Sequence, residues 1–102
     1  MKIATWNVNS INARLPRVES FMDRLQPDVM LLQELKCEDD KFPAEPFTRR
    51  GYSIATFGQK TYNGVAIISK PPCEVMARGL SEDSEARFIC GLVGDIVVAS
   101  AY

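Results

Sequence analysis

The chain has 102 residues, 46% of them hydrophobic and 25% charged, with a net charge of −1 and a pI near 5.4. That suffices for one domain with a core and excludes intrinsic disorder, and no apolar run approaches the ~20 residues that cross a bilayer. A chain this acidic does not grip nucleic acid by charge alone, so phosphate chemistry would need local cations, a metal or both; with no histidine, Ser-His and Cys-His catalysis and histidine-ligated metals are excluded for this chain by itself.

Lys2 to Val8 alternates, with Ile3, Thr5 and Asn7 on one side and Ala4, Trp6 and Val8 on the other, which predicts a strand ending in polar residues. Asn9, Ser10 and Asn12 predict a loop. Pro16 suits the first turn of a helix, and Leu15, Val18, Phe21, Met22 and Leu25 then make one apolar stripe until Pro27 stops it. Val29 to Gln33 reads as a short strand with both faces buried, the second strand of a βαβ crossover. Lys36 to Glu45 reads as a loop. Strands follow at Tyr52 to Phe57 and Gly64 to Ser69, with a turn at Gly58 to Asn63 between them. Beyond the Pro71-Pro72 break come three more, at Cys73 to Arg78, Arg87 to Val93 and Ile96 to Tyr102, the last two joined by a tight Gly94-Asp95 turn. The pattern is β-α-β followed by antiparallel strands, an α+β or layered α/β class. Cys37, Cys73 and Cys90 are odd in number and fit no zinc spacing, so reduced thiols are expected. The N-terminus lacks the apolar region of a signal peptide, which makes a cytoplasmic location, away from any membrane, the default expectation.

In parallel strands flanked by helices, ligands sit beyond the carboxyl ends. Asn7 ends the first strand and Glu34 the second. If the strands are neighbours, an amide and a carboxylate face one crevice, where the carboxylate suits Mg²⁺ and Lys36 suits an anionic substrate. Spacing alone favours the plainer reading, in which Glu34 is a solvated loop residue and Asn7 a turn former.

The segments "IATWNVNS" and "PDVMLLQELK" resemble the W-N-x-N/D-G and L-Q-E-x-K motifs of the endonuclease/exonuclease/phosphatase family, in its exonuclease III and apurinic/apyrimidinic endonuclease branch. "GYSIATFGQKTYNGVAIISK" and "ARFICGLVGDIVVASAY" resemble later segments of the same family, so the resemblance runs from Lys2 to Tyr102. It implies a four-layer α/β sandwich with mixed β-sheets, deoxyribonuclease I-like, of which residues 1–102 are the N-terminal half, truncated before the family's G-D-x-N and S-D-H segments. It implies a Mg²⁺-dependent DNA repair nuclease, with Mn²⁺ as a substitute ion, acting as 3′-to-5′ exodeoxyribonuclease and abasic-site endonuclease. The partner is double-stranded DNA, abasic or with 3′ ends, and the full-length protein is expected to be monomeric.

The resemblance carries roles to individual residues. Glu34 is implied as metal ligand and Asn7 as the amide that orients metal- or phosphate-bound groups, itself a metal ligand on this reading. Tyr102 is implied as a catalytic hydroxyl, although a strand-end tyrosine also serves packing. Asn9, Lys36, Arg87, Asn63 and Gly64 are implied as DNA contacts, with Tyr62 in the same loop; Gly64 also serves the turn. Trp6 reads as core. Ser10 stands where the family usually has glycine, Asn12 where the branch often has arginine and Leu35 where threonine is common. Two other readings stay open: another phosphodiesterase or phosphatase of the superfamily, acting on a lipid or inositol phosphate, or a non-catalytic remnant that binds a partner. Half of a two-sheet sandwich would expose the face its other half covers, so the isolated chain is expected to be aggregation-prone or molten, without turnover.

Overall fold

The computed structural model describes residues 1–80 and 82–102. It opens with β1 (Ile3–Asn7), α1 (Ile11–Leu25) and β2 (Val29–Gln33), the strand–helix–strand order the periodicities predict. β1 and β2 run parallel, with Ile3 opposite Val29 and Asn7 opposite Gln33, so their carboxyl ends finish level.

The helix starts earlier than Pro16 suggests. Ser10, predicted as loop, is its N-cap, and the Ser10 hydroxyl accepts a hydrogen bond from the Ala13 N–H at 3.2 Å. Asn12 lies in the first turn. The cause is burial: Ile11 sits on the same helical face as Val18 and Met22, and all three are buried. Pro16 is inside the helix, which tolerates one missing backbone bond there. At the other end Gln26 turns left-handed (φ +46°), its N–H donates to the Met22 carbonyl, and Pro27 follows.

β3 (Ser53–Phe57) and β4 (Val65–Ser69) complete a first sheet in the order β1-β2-β4-β3, with β4 antiparallel to both neighbours. β5 (Cys73–Arg78), β6 (Phe88–Val93) and β7 (Ile96–Ala101) form a second sheet, antiparallel throughout. The Gly94-Asp95 hairpin is present, with Gly94 at φ +61° as a two-residue turn requires. Lys36 to Glu45 is less loop-like than predicted: it holds a 3₁₀ turn at Asp39–Lys41 and leads into α2 (Glu45–Thr48). A one-turn helix leaves no periodicity to read. What fixes it is Phe47, fully buried and stacked on Phe42, together with Arg50, whose guanidinium binds Glu19, Asp23 and the Pro46 carbonyl.

β2 explains the layering. Met30 and Leu32 point to a core shared with α1, Phe47, Ala66 and Ile68. Val29 and Leu31 point to a second core, with Val65, Ile67, Ile89, Val93 and Val98. So β2 is buried on both faces, but by a helix on one side and a second sheet on the other. The layers are helix, mixed sheet, antiparallel sheet; a fourth layer has no counterpart among the described residues. Both sheets are present, and the second covers the inner face of β2, β3 and β4 but not that of β1, where Ile3, Thr5 and Asn7 stay exposed. The bare inner face expected of half a sandwich is confined to β1, and the large apolar side chains exposed on strands are Ile3, Met76 and Val97. No described helix is long and apolar enough to cross a membrane.

Candidate active site

Beyond Gln33 the chain turns sharply. Glu34 and Lys36 are left-handed (φ +57° and +56°), as are Asn9 and Ser10 (φ +46° and +83°) on the facing loop. Non-glycine residues in such conformations cost about 1–3 kcal/mol each and persist only where the surroundings over-determine them. Here backbone bonds do so: the Ser10 N–H donates to the Glu34 carbonyl at 2.8 Å, Ile11 to Leu35 at 3.1 Å, Leu35 to Gly64 at 3.1 Å and Lys36 to Asn63 at 2.9 Å. The Glu34–Lys36 segment is thus pinned between the start of α1 and the start of β4.

Ser10 carries two opposed effects, a cap that stabilises and a φ/ψ of +83°/+107° that suits glycine. Ser10→Ala keeps the strain and loses the cap, so it is expected to cost about 1 kcal/mol. Ser10→Gly relieves the strain and is expected to fall within about 0.5 kcal/mol of the natural protein. Urea denaturation of the two variants checks this order.

The pinned turn presents Glu34 to three groups. The Asn7 amide nitrogen donates to Glu34 Oε1 at 2.8 Å. Lys36 Nζ lies 3.5 Å from Glu34 Oε2 and donates to Asn9 Oδ1 at 2.6 Å. The Tyr102 hydroxyl, brought from the second sheet, faces the same carboxylate. The Asn7 hydrogen bond, then the nearby Tyr102 hydroxyl, hold the Glu34 carboxyl below the ordinary glutamate range. The same pairing with Glu34 pushes the Tyr102 phenol up, so it stays protonated at neutral pH.

The sign of the Glu34 shift sets a pH dependence. A carboxyl with a depressed folded pKa contributes stability that is present above its unfolded pKa and lost as pH falls through the folded one. Asn7→Ala removes the largest cause, so the Glu34 pKa is expected to rise toward its ordinary value and this acid-sensitive contribution to shrink. Carbon-13 NMR titration of the Glu34 carboxyl checks it; an unchanged midpoint contradicts the Asn7–Glu34 assignment.

The donor set limits what metal fits. Among the described residues no three His, Cys, Asp or Glu side chains cluster as a metal cage. A single charged carboxylate fits Mg²⁺, which keeps several waters and takes one or two carboxylates plus substrate phosphate. The Asn7 amide is already engaged at both ends, with one lone pair of its oxygen left for a cation. Its nitrogen faces a carboxylate that can only accept, and its oxygen accepts from the Asn9 N–H at 3.2 Å. Through its nitrogen the amide orients Glu34.

The structure brings Asn7, Asn9, Glu34, Lys36 and Tyr102 together. Arg87 is exposed beside them, its carbonyl accepting from the Tyr102 N–H at 2.8 Å. Gly64 is not brought to the surface: it is buried against Leu35, so its expected DNA contact is corrected to a packing role. The Asn63 amide nitrogen donates to Gln59 and Glu85, which ties the turn before β4 to the segment before β6. Trp6 packs edge-on against Phe21 at 5.4 Å, as a core residue. Sequence reasoning passed over Gln33, buried at the strand's end; a glutamine closing an otherwise apolar strand was the available signal.

Comparison with known proteins identifies the fold and the family. The two packed sheets superpose on a 3′-5′ exonuclease from Neisseria meningitidis with TM-score 0.95 and 44% identity, over 100% of this chain and 41% of that one. An AP endonuclease from Archaeoglobus fulgidus gives TM-score 0.95 and 41% identity, over 100% of this chain and 40% of that one. The architecture is therefore that of exonuclease and AP endonuclease domains. Residues 4–95 match the Endonuclease/Exonuclease/phosphatase family, and the chain belongs to it. Exodeoxyribonuclease III of Haemophilus influenzae is 39% identical over 85 residues, 83% of this chain but 32% of that protein. The chain thus spans well under half the length of these relatives.

Proposed function

We propose that residues 1–102 are the N-terminal part of one nuclease domain that hydrolyses DNA phosphodiester bonds with the help of Mg²⁺, as a 3′-to-5′ exodeoxyribonuclease and abasic-site endonuclease in DNA repair. The observation that carries the reading is Glu34: a charged carboxylate at the end of a central strand, oriented by Asn7 and faced by Tyr102 from the other sheet. The names of its relatives, exodeoxyribonuclease III and AP endonuclease, support the same substrate. Mn²⁺ serves as a substitute ion, and the whole protein works as a monomer in the cytoplasm.

Hydrolysis forms a bond from water oxygen to phosphorus, breaks the bond to the leaving oxygen and returns a proton to that oxygen. Glu34 would hold Mg²⁺, which would supply polarisation of the phosphate and offset charge on the leaving oxygen. Asn7 keeps the Glu34 carboxylate oriented and charged. Tyr102, protonated at neutral pH, offers its O–H to a phosphate oxygen. Lys36 uses two partners, Asn9 and Glu34, and an ammonium has a third N–H left for the DNA backbone. Arg87 offers a second cation beside Tyr102; both position the duplex without reading its sequence.

Glu34 is the carboxylate this reading uses and the sequence has no histidine; residues 1–102 by themselves are expected to show no turnover. The test is to read the coding DNA past the Tyr102 codon, express the whole frame, and assay it on duplexes with an abasic site or a labelled 3′ end. Cleavage that stops with a chelator, and is absent from residues 1–102 alone, supports the reading. A whole protein inert on both duplexes in Mg²⁺ and Mn²⁺ refutes it. A second reading is a phosphomonoesterase on DNA 3′ ends, since one neighbour with TM-score 0.95 and 44% identity is described as a 3′ phosphatase bound to a product DNA hairpin. Release of inorganic phosphate rather than nucleotides selects it.

A further inference from the structure

The inner faces of the two sheets meet through Val, Ile and Ala side chains. Such contacts are non-directional and do not by themselves fix how one sheet slides over the other. Yet the candidate site needs that relation fixed, because Glu34 follows β2 in the first sheet and Tyr102 follows β7 in the second.

One buried polar cluster crosses the gap. Gln33 Nε2 donates to Ser100 Oγ on β7 at 3.0 Å, to Thr5 Oγ1 on β1 at 3.0 Å and to the Leu31 carbonyl at 3.1 Å. Two amide hydrogens shared among three acceptors hold the group from three sides. Ser100, 1% exposed, donates its own proton to the Leu32 carbonyl at 2.8 Å, so it can only accept from Gln33. These are the buried side-chain hydrogen bonds between the sheets among the described residues; the other crossing, from Arg78 to the Thr56 carbonyl, is exposed. The cluster sits one residue before Glu34 and two before Tyr102.

We infer that Gln33 and Ser100 are positioning residues: their buried hydrogen bonds fix how the second sheet lies over the first and so set Tyr102 against Glu34. The inference rests on reading that pair as the site. Stability does not explain the cluster, because replacing both members of a buried pair by apolar groups of similar shape is close to neutral. Hydrogen bonds, unlike apolar contacts, hold a particular distance and angle.

Two-dimensional NMR tests this without relying on turnover. In the natural protein, cross-peaks are expected between the Tyr102 ring and the Glu34 methylenes. The double variant Gln33→Met, Ser100→Ala is expected to keep the cross-strand peaks within each sheet and to melt within a few degrees of the natural protein, yet to lose the Tyr102–Glu34 peaks. Ser100→Ala alone, the milder change, is expected to weaken them. Peaks of undiminished intensity in both variants, or their absence from the natural protein, overturn the inference. Line broadening by Mn²⁺ in the natural protein reports separately on the site: if it fails at Glu34 while the Tyr102–Glu34 peaks respond as described, the metal reading falls and the positioning role stands.

Discussion

Glu34→Gln is expected to lower phosphodiester cleavage by the whole protein by about 10²–10³-fold in kcat, the scale of losing one charge-stabilising group. The substitution is nearly isosteric. The glutamine carbonyl oxygen still accepts from Asn7, so the turn between β2 and β4 is retained and the fold is expected to stay intact. What disappears is the negative charge that would hold Mg²⁺ and that balances Lys36 at 3.5 Å. The DNA contacts proposed for Lys36 and Arg87 are left in place, so KM is expected to move little. A variant with near-natural kcat at saturating Mg²⁺ would remove Glu34 from the chemistry.

The second large effect is on stability. Gly64→Ala is expected to destabilise the chain by about 2–4 kcal/mol, combining a positive-φ penalty with overpacking of 1–3 kcal/mol. Gly64 sits at φ +96°, and a Cβ there would lie 2.8 Å from Leu35 Cβ and 3.3 Å from the Leu35 nitrogen. Leu35 is 1% exposed and cannot swing away. Either β4 or the Glu34–Lys36 turn must move, so the variant should also disturb the site, although Gly64 touches no substrate. Chemical denaturation measures the first effect. A stability within 0.5 kcal/mol of the natural protein would mean the Leu35 turn is softer than its backbone bonds imply.

The parts of this fold legible in the sequence are those with a local signal. β1, α1 and β2 follow from periodicity and from Pro27, and the β6–β7 hairpin follows from Gly94-Asp95. Glu34 was visible as an acid closing a greasy strand, and the resemblance of "LQELK" to a metal-binding motif gave it a role. The rest depends on contacts distant in sequence. Ile11 is helical because Val18 and Met22 share its buried face, which moved the helix start back to Ser10. Gly64 looked like a loop residue near DNA until Leu35 was found packed on it. Asn7 could have offered either end of its amide to Glu34; a carboxylate only accepts, so the nitrogen faces it. Gln33 and Ser100 carry no motif at all, and only the packing of one sheet on the other brings them together.

The central claim is that the end of β2 is a divalent-ion site built on Glu34. The most direct measurement is a Mn²⁺ titration of the protein followed by NMR line broadening, repeated on Glu34→Gln. Broadening that centres on Asn7, Glu34 and Tyr102 and vanishes in the variant is the predicted result. Broadening that is absent there, or unchanged when Glu34 has lost its charge, would contradict it.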